Sequence, residues 1–484
     1  MMKKEFLRML LPLAGVVALA GCRPQGSDAG HYIKLSDVVL TFAAEDEEVK
    51  SVTVRSNPDW SFTGDASWVE VSREGNTLEI SVKPNADAER SAKIGLTAGE
   101  ATAEIEVRQL ANEGPDARYR LLDKLANAAM SPSGRYVGGF YRDVLGENEW
   151  QYTAVIIDLD TDEWLEFGPY PETLLGLSET EVMTDQGVLY ISDTTNGGCV
   201  AFDLEGNYFV PGSAPGYGSL VLQGVSADGS VMVGYTEGAP GGVMYGAVKV
   251  VDGEVRPLEL PDTNFRGEEW WAGVLVRGIS ADGSVMYGTS WENYDYGMVY
   301  WDKEGNVDWV GSDLRTMTTV QRPDHLTGDT YPYNIVNGMM CGANQMQISP
   351  DGKWIAGNFR KERYDGESDE VLSTSCPAFF NTETKKTVLF EEYDGCTAMG
   401  VTADGLGLVG VMGMGVTDGF FVDLETQTKV ADMRPWIQDR FGIALTQGAI
   451  HYVAPDGRKV LGITLRAEPY GGVTALYWYV APAL

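Results

Sequence analysis

Short stretches of alternating apolar and polar residues cover most of the chain after residue 30, and turn-forming residues separate them. Within residues 31–111 the stretches lie at 49–55, 68–72, 77–82, 92–96 and 101–109. An alternation of period two is typical of β-strands, and nothing in this segment has the period of a helix. Short strands separated by turns predict an immunoglobulin-like β-sandwich over residues 31–111.

A repeated unit runs through the rest of the chain. It reads Ser, Thr or Ala, any residue, Asp and Gly, followed by mostly apolar residues and a further Gly. Clear copies occupy 226–234, 280–288, 349–357, 402–410 and 454–462, with a variant at 131–139 and a degenerate copy at 184–187. Because Asp accepts hydrogen bonds from the turn backbone and Gly adopts positive φ, each copy predicts a tight turn between two strands.

Two further strand-like stretches follow each copy, so that one repeat supplies four strands. The last copy lacks the final stretch, and an unmatched stretch at 119–125 stands before the first copy. A ring closed by this N-terminal strand has no free sheet edge. The repeats resemble those of WD-like and TolB-like propellers. We therefore predict an all-β chain in which residues 119–484 form a seven-bladed β-propeller closed by an N-terminal outer strand.

The N-terminus has a different pattern. Lys3, Lys4 and Arg8 precede an apolar stretch at 9–20, which is too short to cross a bilayer as a helix. The sequence Leu-Ala-Gly-Cys at 19–22 resembles the bacterial lipobox, in which the Cys is acylated. We predict a signal peptide at 1–21, lipidation of Cys22, a tether at 22–30, and a lipoprotein anchored in the cell envelope, at the outer membrane.

Residues 56–60 (Ser-Asn-Pro-Asp-Trp), 67–71 (Ser-Trp-Val-Glu-Val), 82–85 (Val-Lys-Pro-Asn), Arg90 and 107–109 (Val-Arg-Gln) follow one another in an order similar to that of the BACON domain, the Bacteroidetes-associated carbohydrate-binding often N-terminal domain. The resemblance covers most of residues 32–111 and implies a spacer or an accessory carbohydrate binder. The residues that carry it are core and turn residues, so we expect Trp60 and Trp68 to be packed inside. Residues 112–118 have the composition of a linker.

The chain contains 70 acidic and 36 basic residues, which gives a formal net charge of −34. Such a surface repels phosphate backbones, so we expect no nucleic-acid partner. Neutral glycans, peptides and cations stay open as ligands.

Few residues suit a metal. The histidines and the cysteines after Cys22 match no zinc spacing, and we predict neither metal nor cofactor. The cysteines are expected as free thiols, with a Cys376–Cys396 disulfide as the alternative. Asp158, Asp160 and Asp162 resemble the start of a calcium loop, but the Gly that such a loop uses next is missing, so the segment is interpreted as a turn.

The candidate ligand surface lies on the segments that are longer than the four-strand repeat requires. These segments are predicted as long loops at 141–153, 261–276, 289–297, 312–346, 358–377 and 434–449. They are rich in aromatic residues, whose flat faces pack against sugar rings, and residues 360–363 add a basic cluster. The candidate ligand-binding residues are Trp270, Trp271, Trp291, Tyr294, Tyr296, Tyr331, Tyr333 and Arg363.

These observations predict a lipoprotein that binds a polysaccharide or oligosaccharide through the long-loop face of its propeller. The alternative is an interaction scaffold that docks a protein partner in an envelope or transport complex. No nucleophile motif or His-rich cluster indicates catalysis. A propeller glycosidase or lyase is less favoured, but stays open because acidic residues lie in the predicted loops, at Asp262, Glu268, Glu269, Glu292, Asp295 and Asp324.

Overall fold

The structure is a computed structural model that describes residues 31–36, 38–42, 49–64, 66–85, 90–109, 117–122, 124–125, 127–146, 149–171, 178–193, 198–210, 215–292, 296–340, 347–413, 415–443, 445, 448–467 and 473–482. The predicted signal peptide, Cys22, Tyr294, Asp295 and Cys341 lie outside these residues. Within them, no helix is long and apolar enough to cross a membrane.

The first part of the chain contains β1 (Ile33–Leu35), β2 (Val39–Phe42), β3 (Lys50–Ser56), β4 (Ser61–Gly64), β5 (Val69–Glu74), β6 (Thr77–Val82), β7 (Arg90–Ala98) and β8 (Ala101–Gln109). One sheet has the order β1-β3-β6-β5 and the other β2-β8-β7-β4. The pairing of β2 with β8 is parallel. Alternate residues of both sheets enter one core, as the predicted period of two requires.

The two tryptophans of this domain pack as expected. Trp60 is buried in the core and Trp68 lies partly buried against it. The guanidinium of Arg73 lies 3.9 Å from the Trp60 ring centre, and that of Arg90 lies 4.5 Å from the Trp68 ring centre. Both indole rings are therefore occupied by packing within the domain.

β9 (Arg118–Leu122) precedes a series of small sheets. The first three contain β10 (Asn127–Met130), β11 (Tyr136–Gly146), β12 (Glu149–Asp158) and β13 (Glu163–Pro171); β14 (Ser178–Met183), β15 (Leu189–Asp193), β16 (Gly198–Phe202) and β17 (Tyr208–Phe209); and β18 (Leu220–Val225), β19 (Val231–Glu237), β20 (Tyr245–Val251) and β21 (Glu254–Pro257). The next two contain β22 (Val274–Ile279), β23 (Met286–Ser290), β24 (Met298–Trp301) and β25 (Val307–Trp309); and β26 (Thr316–Pro323), β27 (Thr330–Met340), β28 (Trp354–Asp365), β29 (Glu370–Asn381) and β30 (Lys386–Leu389).

The last two sheets contain β31 (Cys396–Val401), β32 (Leu406–Gly413), β33 (Gly415–Asp423) and β34 (Thr428–Asp432); and β35 (Ala449–Val453), β36 (Val460–Ala467), β37 (Val473–Ala481) and β9. Helix α1 (Met433–Phe441) follows β34, and short 3₁₀ turns lie at Pro240–Gly242 and Glu391–Tyr393. Within each of these sheets neighbouring strands pair antiparallel. The strands follow chain order, except that β9 is added after β37 in the last sheet. This is a β-propeller fold.

The repeated Asp-Gly unit forms the turn between the first and second strands of four-stranded sheets, as predicted, and in the five-stranded sheet it precedes β28. In the third sheet, Asp228 Oδ1 accepts hydrogen bonds from the Ser230 N–H at 3.0 Å and the Ser226 hydroxyl at 2.7 Å. Gly229 follows with φ of +71°. The fourth sheet repeats the arrangement at Asp282. The sequence pattern therefore marks the same turn in successive sheets.

The N-terminal strand completes the last sheet, as predicted. β9 pairs antiparallel with β37 from Arg118 to Leu122. Asp162, in the turn between β12 and β13, joins this pair to the first sheet. Its Oδ1 lies 2.7 Å from Arg118 Nη1 and accepts a hydrogen bond from the Tyr479 hydroxyl at 2.6 Å, and its Oδ2 lies 3.3 Å from Arg120 Nη2. The last and first sheets are therefore linked by a charged contact.

The other aspartates of the calcium-like sequence also pair with basic side chains. Asp158 Oδ2 lies 3.0 Å from Arg135 Nη2, and Asp160 pairs with Lys459. In the described part of the chain, no group of His, Cys, Asp and Glu is arranged to hold a metal ion. Cys376 and Cys396 are free thiols, so the alternative disulfide between them does not form.

Four of the predicted long loops contain regular structure, which corrects the prediction. Segment 312–346 contains the hairpin β26–β27, and 358–377 is largely the extended end of the hairpin β28–β29. Segment 141–153 is largely the extension of β11 and β12, and 434–449 contains most of α1. The sequence departs from the repeat at these places, but the backbone still pairs with itself because a hairpin satisfies its polar groups locally.

The first domain contacts the propeller near α1. Lys50 Nζ lies 3.1 Å from Asp439 Oδ2, and Arg108 Nη1 lies 3.3 Å from Asp404 Oδ2. Both pairs join a basic residue of the first domain to an acidic residue of the propeller, so the contact is polar.

Candidate functional site

A central cavity of about 560 Å³ is the site to which the most strands contribute. Its wall contains residues of β10, β14, β18, β22, β31 and β35, the first strands of six sheets, together with Gln347 and Ile348 of the fifth sheet. The volume lies within the range of small-molecule pockets, about 300 to 1,000 Å³. Strands of six sheets and the segment before β28 therefore line one cavity that can hold a small ligand.

Polar residues form an arc on the cavity wall across four successive sheets. The polar arc consists of Asn127, Glu181, Gln223 and Arg277. Asn127 Nδ2 donates to Glu181 Oε1 at 3.3 Å, and Arg277 Nη1 lies 3.4 Å from Gln223 Oε1. Arg277 Nε also donates to Thr289 Oγ1 at 3.4 Å. The cavity can therefore both donate and accept hydrogen bonds.

A β-bulge in the first strand of the third and fourth sheets turns two of these residues toward the cavity. The register of β18 shifts between Leu222 and Gly224, and that of β22 between Val276 and Gly278, so Gln223 and Arg277 are the extra residues. A β-bulge re-aims a side chain in this way. These two residues were not predicted from the sequence, although the repeats carry a signal for them, because each bulge residue stands three positions before the Ser of the turn.

His451 occupies the same position in the last sheet, where β35 is bulged between Ile450 and Tyr452. Burial lowers the pKa of His451 to about 4, so its imidazole is neutral at pH 7. Its ring packs edge-on against Tyr477 with 5.7 Å between the ring centres. Burial, and next the nearby Glu181 carboxylate, raises the pKa of Tyr477 to about 12. Both groups line the cavity as uncharged side chains.

Two of the predicted ligand residues, Trp291 and Tyr296, stand on the cavity wall. Their rings meet edge to face with centres 5.2 Å apart. Trp291 is 40% exposed although it lines an interior cavity. Tyr296 is half-buried, so Trp291 offers the open ring, and an open ring at a cavity is a suitable platform for the apolar face of a sugar.

Glu292 holds the chain segment that carries Trp291. It is buried, and its Oε1 accepts hydrogen bonds from the N–H groups of Trp271 at 2.7 Å and Ala272 at 2.9 Å. Asn264 donates a further short hydrogen bond to its other oxygen. Glu292 therefore joins segment 261–276 to segment 289–297, and all three donors to it are neutral.

The other two tryptophans of the prediction differ from each other. Trp271 is 47% exposed, and its backbone adjoins the Trp291 segment through Glu292. Trp270 packs against a core cluster, stacked on Trp309 at 6.2 Å, and its indole N–H donates to the Pro261 carbonyl at 2.7 Å. Trp271 offers an open ring to a ligand, whereas the Trp270 ring is occupied by packing.

The hairpin β26–β27 carries Tyr331 and Tyr333. Tyr331 is 41% exposed, whereas the half-buried Tyr333 ring lies between the guanidinium groups of Arg266 and Arg322, at 4.9 and 5.1 Å. Neither tyrosine lines the central cavity. Arg363 is exposed on β28, also away from the cavity. The structure thus brings Trp291 and Tyr296 together at the cavity and places these three residues elsewhere.

A buried carboxylate fixes the hairpin to segment 261–276. Glu362 lies 3.0 Å from Arg266 Nη2 and 3.1 Å from Arg360 Nη2, and it accepts a hydrogen bond from the Val336 N–H at 3.0 Å. Asn334 Nδ2 donates to the Arg266 carbonyl at 2.6 Å. Segments 261–276, 289–297 and the hairpin therefore lie against one another, as their neighbouring places in the repeat predict.

Among the described residues, which do not include Asp295, the cavity wall does not bring together the paired carboxylates that glycoside hydrolysis uses. Glu181 is the one carboxylate among the described residues on its wall. Glu292 is fully engaged with backbone and amide donors, and Asp262, Glu268, Glu269 and Asp324 stand outside the wall. The arrangement is one that binds through hydrogen bonds and ring stacking.

Comparisons with known proteins identify one family in the first part of the chain. Residues 58–110 match the BACON family, described as "Putative binding domain, N-terminal". No curated protein matches the sequence.

Several solved structures are similar in fold to much of the chain. The β-propeller domain of the Trilobed protease from Pyrococcus furiosus is 12% identical, with 74% of this chain and 93% of that chain covered and a TM-score of 0.42. Oligogalacturonate lyase from Vibrio parahaemolyticus is 11% identical, with coverages of 75% and 91% and a TM-score of 0.38. Kuenenia stuttgartiensis hydrazine synthase is 15% identical, with coverages of 73% and 95% and a TM-score of 0.37. Similarities this low carry no argument about activity. The chain thus combines a BACON-like segment with a β-propeller.

Proposed function

We propose that the protein is an outer-membrane lipoprotein, acylated at Cys22, whose propeller binds a glycan at the mouth of its central cavity. In this proposal the seven sheets are the blades of a seven-bladed propeller. The immunoglobulin-like BACON domain is a spacer between the membrane and the propeller, because its tryptophans are used in packing.

The observation that carries the proposal is the exposed Trp291 ring, packed edge to face on the half-buried Tyr296, on the wall of a cavity of about 560 Å³. Exposed aromatic rings cost free energy unless a ligand covers them, and ring faces at a polar cavity suit the C–H face of a sugar. The polar arc lines the same cavity and supplies donors and acceptors for hydroxyl groups.

Binding to a glycan array, followed by calorimetric titration of the strongest ligand, tests this function. We expect Trp291→Ala to weaken binding about fivefold, because a lost stacking contact of this kind corresponds to about 1 kcal/mol. Trp164→Ala is the matched control, because Trp164 is 43% exposed on the outer strand β13 and does not line the cavity. This control variant should bind like the wild type.

Equal affinities of the two variants would remove Trp291 from the site, and a wild type that retains no saccharide would refute glycan binding. The scaffold function would then be favoured. Its first candidate surface is the exposed apolar group Tyr208, Phe209 and Val210 at the outer edge of the second sheet.

A further inference from the structure

We propose that the glycan is acidic and that Arg277 binds the carboxylate of a uronic acid within the central cavity. This inference rests on the proposed glycan-binding function and specifies the class of its ligand. It starts from the charge environment of one side chain on the cavity wall.

Arg277 has neutral partners. Its Nε and Nη1 each lie 3.4 Å from an acceptor, the Thr289 hydroxyl and the Gln223 amide oxygen. Among the residues that the structure describes, no carboxylate lies within 4.0 Å of its guanidinium. Both hydrogen bonds are long, and a guanidinium has five N–H donors. The group therefore retains donors and a positive charge for a ligand.

Two other arginines of the propeller pair with carboxylates. Arg266 pairs with Glu362 at 3.0 Å and Arg322 with Asp369 at 3.1 Å. Arg315 lies over the rings of Phe265 and Trp309 and is not on the cavity wall. In a chain with 70 acidic residues, an arginine that faces a cavity without an acidic partner indicates an anion as the missing partner.

The separation between Arg277 and the Trp291–Tyr296 pair suits a sugar that carries a carboxylate. Thr289, which contacts Arg277, stands two residues before Trp291, and all three residues line the cavity. Two residues of extended chain span roughly 7 Å. One pyranose ring can therefore stack on Trp291 while a carboxylate on the same or the next sugar reaches Arg277. Guanidinium and carboxylate match in geometry and form paired hydrogen bonds.

The rest of the cavity limits how much charge the ligand carries. Glu181 lies on the same wall and, with Asn127, is suited to hydroxyl groups rather than to a second carboxylate. His451 is neutral at pH 7 and adds no positive charge. The net charge of −34 also repels a dense polyanion. We therefore expect one carboxylate in the cavity.

Titration calorimetry with uronic-acid trisaccharides tests the inference. The probes are trisaccharides of galacturonate, mannuronate and glucuronate, each compared with its methyl ester, which keeps the sugar and removes the charge. We expect the wild type to bind an acid at least tenfold more tightly than its ester. Arg277→Gln should lose this preference, whereas Arg256→Gln should keep it. Arg256 is the matched control because it is exposed on β21, where it pairs with Glu254.

The outcomes separate the two proposals. If the wild type binds a neutral glycan in a manner that depends on Trp291, and acids and esters bind equally, the glycan function stands and the role of Arg277 is wrong. If an acid is preferred equally by Arg277→Gln and the wild type, the carboxylate binds elsewhere and the role is also wrong. If no saccharide is retained, both proposals fail. Melting temperatures of both arginine variants establish that each remains folded.

Discussion

Closing the propeller depends on the charge of Asp162, and Asp162→Asn removes that charge with little change in shape. Asp162 has φ of +58°, a conformation that Asn also tolerates, so the turn backbone should be preserved. The substitution takes away the partner of Arg118, whose side chain is only 9% exposed, and of the more exposed Arg120. The perturbation therefore acts on the contact between β9 and the first sheet.

The expected magnitude follows from these exposures. Exposed ion pairs contribute less than about 1 kcal/mol, whereas leaving a buried polar group without its partner costs about 1 to 3 kcal/mol. The substitution leaves the mostly buried Arg118 guanidinium without its anionic partner, whereas Asn can still accept from Tyr479, so we expect a loss of about 2 kcal/mol. This loss corresponds to a fall in melting temperature of about 4 °C for a large domain.

The pH dependence has a definite sign. Burial by itself would raise the pKa of Asp162, but the Tyr479 hydrogen bond and the charges of Arg118 and Arg120 lower it below its usual range. A carboxyl whose pKa is lower in the folded state stabilises the protein above the unfolded value of about 3.9. The difference between wild type and variant should therefore be constant from about pH 5 to 7 and shrink below about pH 4.

Hydrogen exchange followed by mass spectrometry is the decisive assay, because it locates the destabilised strands. We expect faster exchange in β9 and β37. Asp252→Asn is the matched control: Asp252 occupies a similar turn between β20 and β21 with φ of +54°, and within the described residues it has no charged partner. Equal stability losses in the two variants, or a uniform rise in exchange over the whole propeller, would refute the argument.

Two further predictions concern the lipid anchor at Cys22 and the residue Glu292, which holds the segment that carries Trp291. Lipidation at Cys22 predicts that labelled fatty acid enters the wild type but not Cys22→Ser, and equal labelling of both would contradict the lipobox assignment. Glu292→Ala leaves the N–H groups of Trp271 and Ala272 without their acceptor. We therefore expect the free energy of unfolding to fall by about 2 kcal/mol and glycan binding to weaken. An unchanged denaturation midpoint would show that the Glu292 hydrogen bonds do not contribute to stability.

The order of strands and the closure of the ring could be predicted from the sequence because both depend on local features. The Asp-Gly pattern needs only a positive φ at Gly and a carboxylate that accepts from the turn backbone, as at Asp228 and Gly229. The last repeat lacks its fourth strand, and one unmatched stretch stands before the first repeat. The number of strands in each repeat therefore predicted that this stretch pairs with the last repeat, as β9 does with β37.

The candidate site was predicted only in part. Trp291 and Tyr296 were predicted because they lie in an aromatic-rich segment that is longer than the repeat requires, and the structure places both on the cavity wall. Trp270 and Tyr333 belong to the same aromatic-rich segments, yet Trp309 and two arginines cover their rings. Composition does not distinguish these cases, because whether a ring is open or covered depends on residues from other sheets.

The sequence by itself determined the strands, their turns and the two-part organisation, since period and turn chemistry act between near neighbours. Only the tertiary structure decided which polar groups meet at the centre. Gln223 and Arg277 reach the cavity because one extra residue in each inner strand re-aims them. Their partners come from separate sheets, about one repeat apart in the chain. Contacts between such distant residues depend on the closed ring, whose geometry no single repeat contains.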